Sequence, residues 1–306
     1  DGFVRAYDRF GRMVVAPVLA ASDIAALAVS ADGEWAAVTG GGASPRLSII
    51  DLVGVGVRAS ASWDLDLPSD GERGTIRSVM AFLPNGQLVA AGADRAVRAW
   101  DLQMAPGQSA LTSRSALEFS PTPQWTRLEV DAAGRTLAIL GVANGVQVFG
   151  PDGTRTGAWH EPEWVTAAAM SPDGQLLVSG SDSGTITVYE APGGKVIRQV
   201  KVLPLPGYQY RSVSTNAVAV DPQGHRFIAA FSDGQVRAYR RDGTEIDGDA
   251  GAGGAEITAL FFHPHGEIIA GTSRGEVRTI FPTAEHPVWA VRVFAGDVAQ
   301  ADDMTC

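Results

Sequence analysis

A single cysteine among 306 residues, placed at the last position, rules out an intramolecular disulfide and leaves no ligands for a cysteine-based zinc site. Such a chain suits a reducing compartment, and a cytoplasmic location is expected. No apolar run approaches the roughly 20 residues that a membrane span needs, so no membrane partner is expected. Charged residues are scarce, at 19%, and their balance is acidic, with a formal net charge of −10. Lys and Arg occur singly or in pairs without forming a basic patch. An acidic surface repels phosphate backbones, which argues against nucleic acid as a partner. No stretch carries a sustained i, i+3, i+4, i+7 apolar stripe, so almost no helix is expected. Neither a signal peptide nor an initiator Met opens the chain, which points to a chain processed or cut from something longer.

What the chain does have is small and apolar. Hydrophobic residues make up 45%, enough for a large core and too many for global disorder. The length fits one large closed β architecture or two ordinary domains.

The chain repeats itself. DGFVRAYDRFGR at its start matches DGQVRAYRRDGT at 233–244 in eight of twelve positions. Six segments share a short apolar strand, a turn ending in Gly, a second strand, a small-residue turn and a third strand. Their cores are 24–52, 76–102, 126–150, 165–190, 216–240 and 257–281, the clearest being VTAAAMSPDGQLLVSGSDSGTITVYE at 165–190. The turn glycines, Gly33, Gly86, Gly134, Gly174, Gly224 and Gly266, recur at intervals of about 40 to 50 residues. A tight hairpin turn needs a positive φ there, which Gly takes without a Cβ clash. Pro84, Pro172, Pro222 and Pro264 stand two residues earlier, where a φ fixed near −65° starts a turn.

Repeats of this period and strand content resemble WD-repeat β-propeller blades. The dipeptide itself survives in RAWDL, at Trp100–Asp101; elsewhere IID, VFG, VYE, AYR and TIF take its place. No repeat has the family's Gly-His before its first strand, so the family's His–Ser–Asp–Trp network does not carry over. Apolar packing between blades is expected to replace it. The Ala- and Gly-rich repeats look like prokaryotic WD-repeat modules, which are often fused to an effector such as a signalling NTPase, a kinase or a caspase-like peptidase.

The resemblance implies an all-β fold: one β-propeller over 1–306, with seven blades of four antiparallel strands. DGFVRAYD reads as a third strand and RMVVAPVLA as the outer strand after it. A propeller closes its ring or exposes strand edges. We therefore expect the closing segments 1–20 and 284–306 to share the seventh blade, with PVWAVRVF at 287–294 supplying inner strands. The alternative is six full blades and an incomplete seventh, with PVWAVRVF as the outer strand of the sixth.

In blade geometry the SPDG-type turns lie on one face and the outer-to-inner connections on the other. Those connections, 63–75, 120–125, 159–164 and 203–215, are long and carry Trp63, Trp125, Trp159, Trp164, Tyr208 and Tyr210. Interfaces favour such residues because they bury much area around a polar handle. With Glu161 and Arg211 they form the candidate partner-binding set. The competing reading is that the aromatics pack between blades.

Other patterns carry less chemistry. His263-Pro264-His265 replaces ordinary turn residues, and no metal site is expected. Asp64, Asp66, Asp70 and Glu72 form an acidic loop whose order fails the EF-hand pattern. DGDAGAGGAE at 247–256 reads as a linker. GSDSG at 180–184 has Asp182 where a serine-hydrolase elbow needs its Ser. Inner-strand segments such as AALAVS and TAAAMS are small and apolar, and Asp131 and Asp221 align with Ser30 and Ser171 at strand ends without making a site. The expectation is a non-enzymatic scaffold or sensor, without cofactor, that binds a protein partner within a larger effector system. The alternative is a small-molecule-binding or hydrolytic propeller with its site in the central channel.

Overall fold

The computed structural model describes residues 3–7, 13–19, 24–30, 32–40, 46–53, 56–62, 79–83, 86–91, 96–105, 108–118, 124–131, 137–142, 145–150, 154–159, 163–191, 193–248, 256–262, 268–274, 276–281 and 290–294. They form strands and turns, with no helix among them. The chain divides into two compact units, Asp1–Thr154 and Arg155–Cys306.

Each sheet is a meander in which consecutive strands pair antiparallel. The first unit begins with a hairpin of Phe3–Tyr7 and Met13–Leu19, the pair expected from the opening sequence. A sheet of Ile24–Val29, Trp35–Gly40, Arg46–Asp51 and Gly56–Ser62 follows. The next contains Val79–Phe82, Leu88–Ala91, Ala96–Ala105 and Gln108–Glu118, and Gln124–Val130, Leu137–Val142 and Gly145–Phe149 continue the order. The second unit opens with Arg155–Trp159. It then builds one sheet from Val165–Met170, Leu176–Ser181, Thr185–Glu190 and Lys195–Lys201. A second contains Thr215–Val220, Arg226–Phe231, Val236–Arg240 and Glu245–Gly248, and a third Ile257–Phe262, Ile268–Thr272, Val277–Phe281 and Ala290–Phe294.

The turn chemistry read from the sequence is in place where it is described. Gly33, Gly86, Gly174 and Gly224 have φ between 67° and 82°, and each donates its N–H to a carbonyl three residues earlier at 2.9 Å. Gly134 and Gly266 lie outside the described residues.

Within each unit the first strands are neighbours: 24–29 lies beside 79–82 and that beside 124–130, while 165–170 lies beside 215–220 and that beside 257–262. A sheet with a neighbour on each side therefore buries both faces, as the 215–248 sheet does, which explains why its strands read as near-continuous apolar runs. Leu176, Val178, Ile186 and Val188 meet Phe227, Phe231 and Tyr239 of the next sheet. Ile228, Ala230 and Ala238 turn the other way, onto Ile257, Ile268 and Ala270. In the first unit Ala37, Leu47 and Ile49 pack on Met80, Leu88 and Ala90, and the opening hairpin contributes Val4 and Val18 to the opposite face, against Ala36, Val38 and Ile50.

First strands share an irregularity that no composition argument foresaw. Their register shifts between Val165 and Ala167, Thr215 and Ala217, and Ile257 and Ala259, bulging at the residue between. A bulge re-aims its side chain. Thr166 Oγ1 donates to Thr215 O at 2.6 Å and Asn216 Nδ2 to Ile257 O at 3.3 Å, so these two bulged residues tie their sheets to the next, while Thr258 Oγ1 donates within its own sheet to Gly271 O at 3.4 Å.

The structure departs from the expected closure. Residues 290–294 of PVWAVRVF do not supply an inner strand of a seventh blade. Ala290–Phe294 pairs along its length with Val277–Phe281, as the fourth strand of the 257–294 sheet. The edge of Val277–Phe281 is the nearest partner in sequence, and a short return costs less closure entropy than a long one.

Candidate partner-binding surface

Strand register places the starts of first strands, the ends of second strands and the second-to-third turns at one end of the sheets. Val165 is opposite Ser181, Thr185 opposite Lys201, and Thr215 opposite Phe231. The connection 202–214 runs over this end and is held from both sides. Val202 N–H donates to Gly184 O at 2.9 Å, and buried Val213 packs on Gly184. Gln235 Nε2 donates to Leu203 O at 3.2 Å, and Leu205 N–H to Asp233 Oδ2 at 3.0 Å. Ser232 Oγ accepts from Tyr208 Oη at 3.0 Å and from Ser214 N–H at 2.9 Å.

Inside the connection, Leu205-Pro206-Gly207-Tyr208 closes a turn, with Tyr208 N–H donating to Leu205 O at 3.0 Å and Gly207 at φ 88°. Pro in the second position and a positive-φ Gly in the third are what a type II turn requires. The backbone is thereby set while its apolar side chains face solvent: Leu203 is 71% exposed, Tyr210 62% and Leu205 37%. Tyr208 is half-buried with its ring edge-on to Tyr210, centroids 5.6 Å apart. Arg211 is exposed beside them.

Trp164, 49% exposed, stands at the same end of the 165–201 sheet, and its carbonyl accepts from Asp182 N–H at 2.8 Å. Its neighbour Glu163 anchors a polar cluster. Glu163 Oε2 accepts from Ser181 Oγ at 2.6 Å, and Oε1 from Lys201 Nζ at 3.2 Å. Lys201 also donates to Ser183 Oγ at 2.8 Å and Thr185 Oγ1 at 3.1 Å. Partial burial pushes the Glu163 carboxyl up, but the Ser181, Ser183 and Thr185 hydroxyls and the Lys201 ammonium together outweigh it and bring it down to about 2.

The Ser183–Lys201 spacing resembles a nucleophile with its base, but Lys201 spends its ammonium protons on three acceptors. No lone pair is left to take a proton from Ser183. The cluster is built to brace the chain beside Trp164. Among the described residues no group of three or more His, Cys, Asp or Glu is placed to hold a metal ion.

Trp159 is committed elsewhere. Its ring lies 5.2 Å from that of Tyr189, and a Cβ on Gly194 would sit 1.8 Å from its Cζ2. Gly194 belongs to the turn between third and fourth strands, at the opposite end of the 165–201 sheet. Arg198 does the same one sheet later, covering Gly243 and donating to Thr244 Oγ1 at 3.3 Å. Trp159 thus packs between elements. Among the candidate residues, the structure gathers Tyr208, Tyr210 and Arg211 on one connection and places Trp164 at the same end. Trp63 and Glu161 lie outside the described residues, and Trp125 is described in its backbone, on Gln124–Val130. Leu203 and Leu205 were missed; leucines alternating with prolines in a loop were the signal.

Two segments, 68–101 and 144–190, match the family model for the WD domain, G-beta repeat. Among curated proteins none matches the chain.

Proposed function

We propose that this chain, two segments of which match the WD-repeat model, is a protein-interaction module without catalytic activity of its own, binding its partner at the 202–214 connection and Trp164. WD repeats as a class mediate contacts between proteins, and the step from class to surface rests on one observation. Leu203, Leu205 and Trp164 are exposed on backbone that is hydrogen-bonded in place, and Tyr210 is exposed between the anchored Tyr208 and Ser214. Large apolar side chains held out by an ordered backbone lose little entropy on binding and suit an interface core. This reading takes the meanders and the opening hairpin as blades of one propeller, the hairpin belonging to an incomplete seventh. It also takes the chain as the sensing or scaffolding part of a larger cytoplasmic effector system.

The test compares proteins captured by the wild-type chain and by a Leu203→Ser, Trp164→Ala, Tyr210→Ala variant with an unchanged thermal midpoint. Each hot-spot truncation costs an interface about 1–2 kcal/mol, so the triple variant releases a true partner completely. An unchanged captured set would refute the surface.

A further inference from the structure

The outer edge of the 165–201 sheet differs from the other described outer strands of its unit. Lys195–Lys201 has 7 residues, against 5 for Arg155–Trp159 and for Ala290–Phe294 and 4 for Glu245–Gly248. Every residue in it except Val200 is exposed, including the apolar Val196 at 43% and Ile197 at 40%. It pairs with Thr185–Glu190 on one side and ends the sheet on the other. Such an edge presents backbone N–H and C=O groups to any chain that can lie alongside.

Two devices limit that hazard. The register slips between Arg198 and Val196, so Ile197 sits in a bulge. The strand also carries Lys195, Arg198 and Lys201 with no carboxylate among its residues. Lys201 is engaged by Glu163. Lys195 makes no ion pair among the described residues, while Arg198 lies over Gly243, donates to Thr244 Oγ1 and has the Asp242 carboxylate nearby. The next outer strand, Glu245–Gly248, carries Glu245, which pairs with Arg237 at 3.4 Å. Within a chain of net charge −10, this edge carries three cations, where Arg155–Trp159 and Ala290–Phe294 carry one each.

We propose that Lys195–Lys201 accepts an extended acidic segment of a partner protein by β-strand addition. The incoming backbone completes the hydrogen bonding of the edge, its apolar residues cover Val196 and Ile197, and its carboxylates meet Lys195 and Arg198. A basic strand is repelled here, so charge selects the partner. This surface is separate from the 202–214 connection and does not depend on it.

The test uses the whole chain and a labelled peptide alternating glutamate with valine. Controls are its lysine–valine counterpart and a backbone N-methylated form of the acidic peptide. The acidic peptide binds, weakens as salt rises, and slows amide exchange across 195–201, while neither control binds. Lys195→Glu, an exposed change that leaves the thermal midpoint alone, weakens binding about fivefold. Equal binding of the N-methylated peptide would reduce the effect to surface charge and overturn strand addition. Absence of binding would overturn it as well. Protection confined to 203–214 would end this proposal and leave the loop surface standing. Concentration-dependent protection of 195–201 without peptide would mean that a second copy occupies the edge, which also overturns it.

Discussion

In the 165–201 sheet, buried Tyr189 lies opposite Leu177, with its hydroxyl 3.3 Å from Ser179 Oγ. In the 215–248 sheet, Tyr239 holds the same register opposite Phe227, and their rings stack at 5.0 Å. Ala229 stands there in the place of Ser179, and the Tyr239 hydroxyl is buried without a hydrogen bond of good geometry. Burial, with the Glu245 carboxylate adding to it, pushes its ionisation well up, and Arg237 offsets this in part. The turns differ in the same way. Ser171 Oγ accepts from Leu176 N–H at 2.9 Å, whereas Asp221 Oδ1 accepts from His225 N–H at 2.7 Å and Asp221 Oδ2 pairs with Arg226 at 3.4 Å. Two sheets of one repeat thus share backbone pairing and apolar packing while solving their polar positions separately. The apolar contacts hold the fold, and the polar ones are local adjustments.

The largest effect tests that ranking. Phe227→Ala opens a cavity beneath Tyr239 and costs about 3–5 kcal/mol, more than Leu177→Ala at its equivalent place, which falls in the range of about 2–5 kcal/mol. Urea unfolding of both variants reads the difference, and equal losses would show that the Phe227–Tyr239 stack adds nothing special. Next comes the turn pair. Asp221→Ala costs about 2 kcal/mol, since its carboxylate takes two backbone N–H groups and pairs with Arg226, and Ser171→Ala about 1–2 kcal/mol, since Ser171 Oγ takes Leu176 N–H and also donates to the Asp173 carboxylate.

The tyrosines should respond with opposite signs. Tyr189→Phe loses about 1 kcal/mol with its bond to Ser179, while Tyr239→Phe removes an unpaired buried hydroxyl and gains up to about 1 kcal/mol. Ala229→Ser, which supplies the missing partner, should also stabilise; losses in both Phe variants would contradict the comparison. The smallest effect is on pH. Glu163 is held at about 2 against an ordinary 4.5. Its contribution is therefore fully present above the ordinary value and fades as pH falls from there toward 2. Lys201 is half exposed, so the contribution is small and salt-sensitive. In the 215–248 sheet Phe231 stands at the register position of Ser181, so this network has no counterpart there. Glu163→Gln should flatten that part of the stability–pH profile, and an unchanged slope would assign the acid sensitivity to other carboxylates.

Much of the architecture could be read in advance, because its causes are local. SPDG demands a turn at Gly174 whatever surrounds it. TITVYE is too short and too β-branched for a helix, and six copies in register point to stacked meanders. The site was less readable. Trp159 and Trp164 stand five residues apart in one aromatic stretch, yet one ring covers Gly194 and the other faces solvent. Nothing in WHEPEW distinguishes them, since the difference lies in which neighbouring turn has a glycine to spare. The cationic edge was hidden too: Lys195, Arg198 and Lys201 are spaced singly along the chain, and become one surface because the strand ends its sheet.

The sequence by itself determined strand lengths, turn positions and the repeat, since these follow from backbone conformational limits and hydrophobic burial acting over a few residues. It left open where the last strand goes, and PVWAVRVF satisfied two pairings equally well in composition. Only the tertiary structure decided that Ala290–Phe294 lies on Val277–Phe281. It alone also decided that the bulged Thr166 and Asn216 reach across to the next sheet. These outcomes depend on which free edge or carbonyl is nearest in space, a quantity that exists only once the sheets have packed.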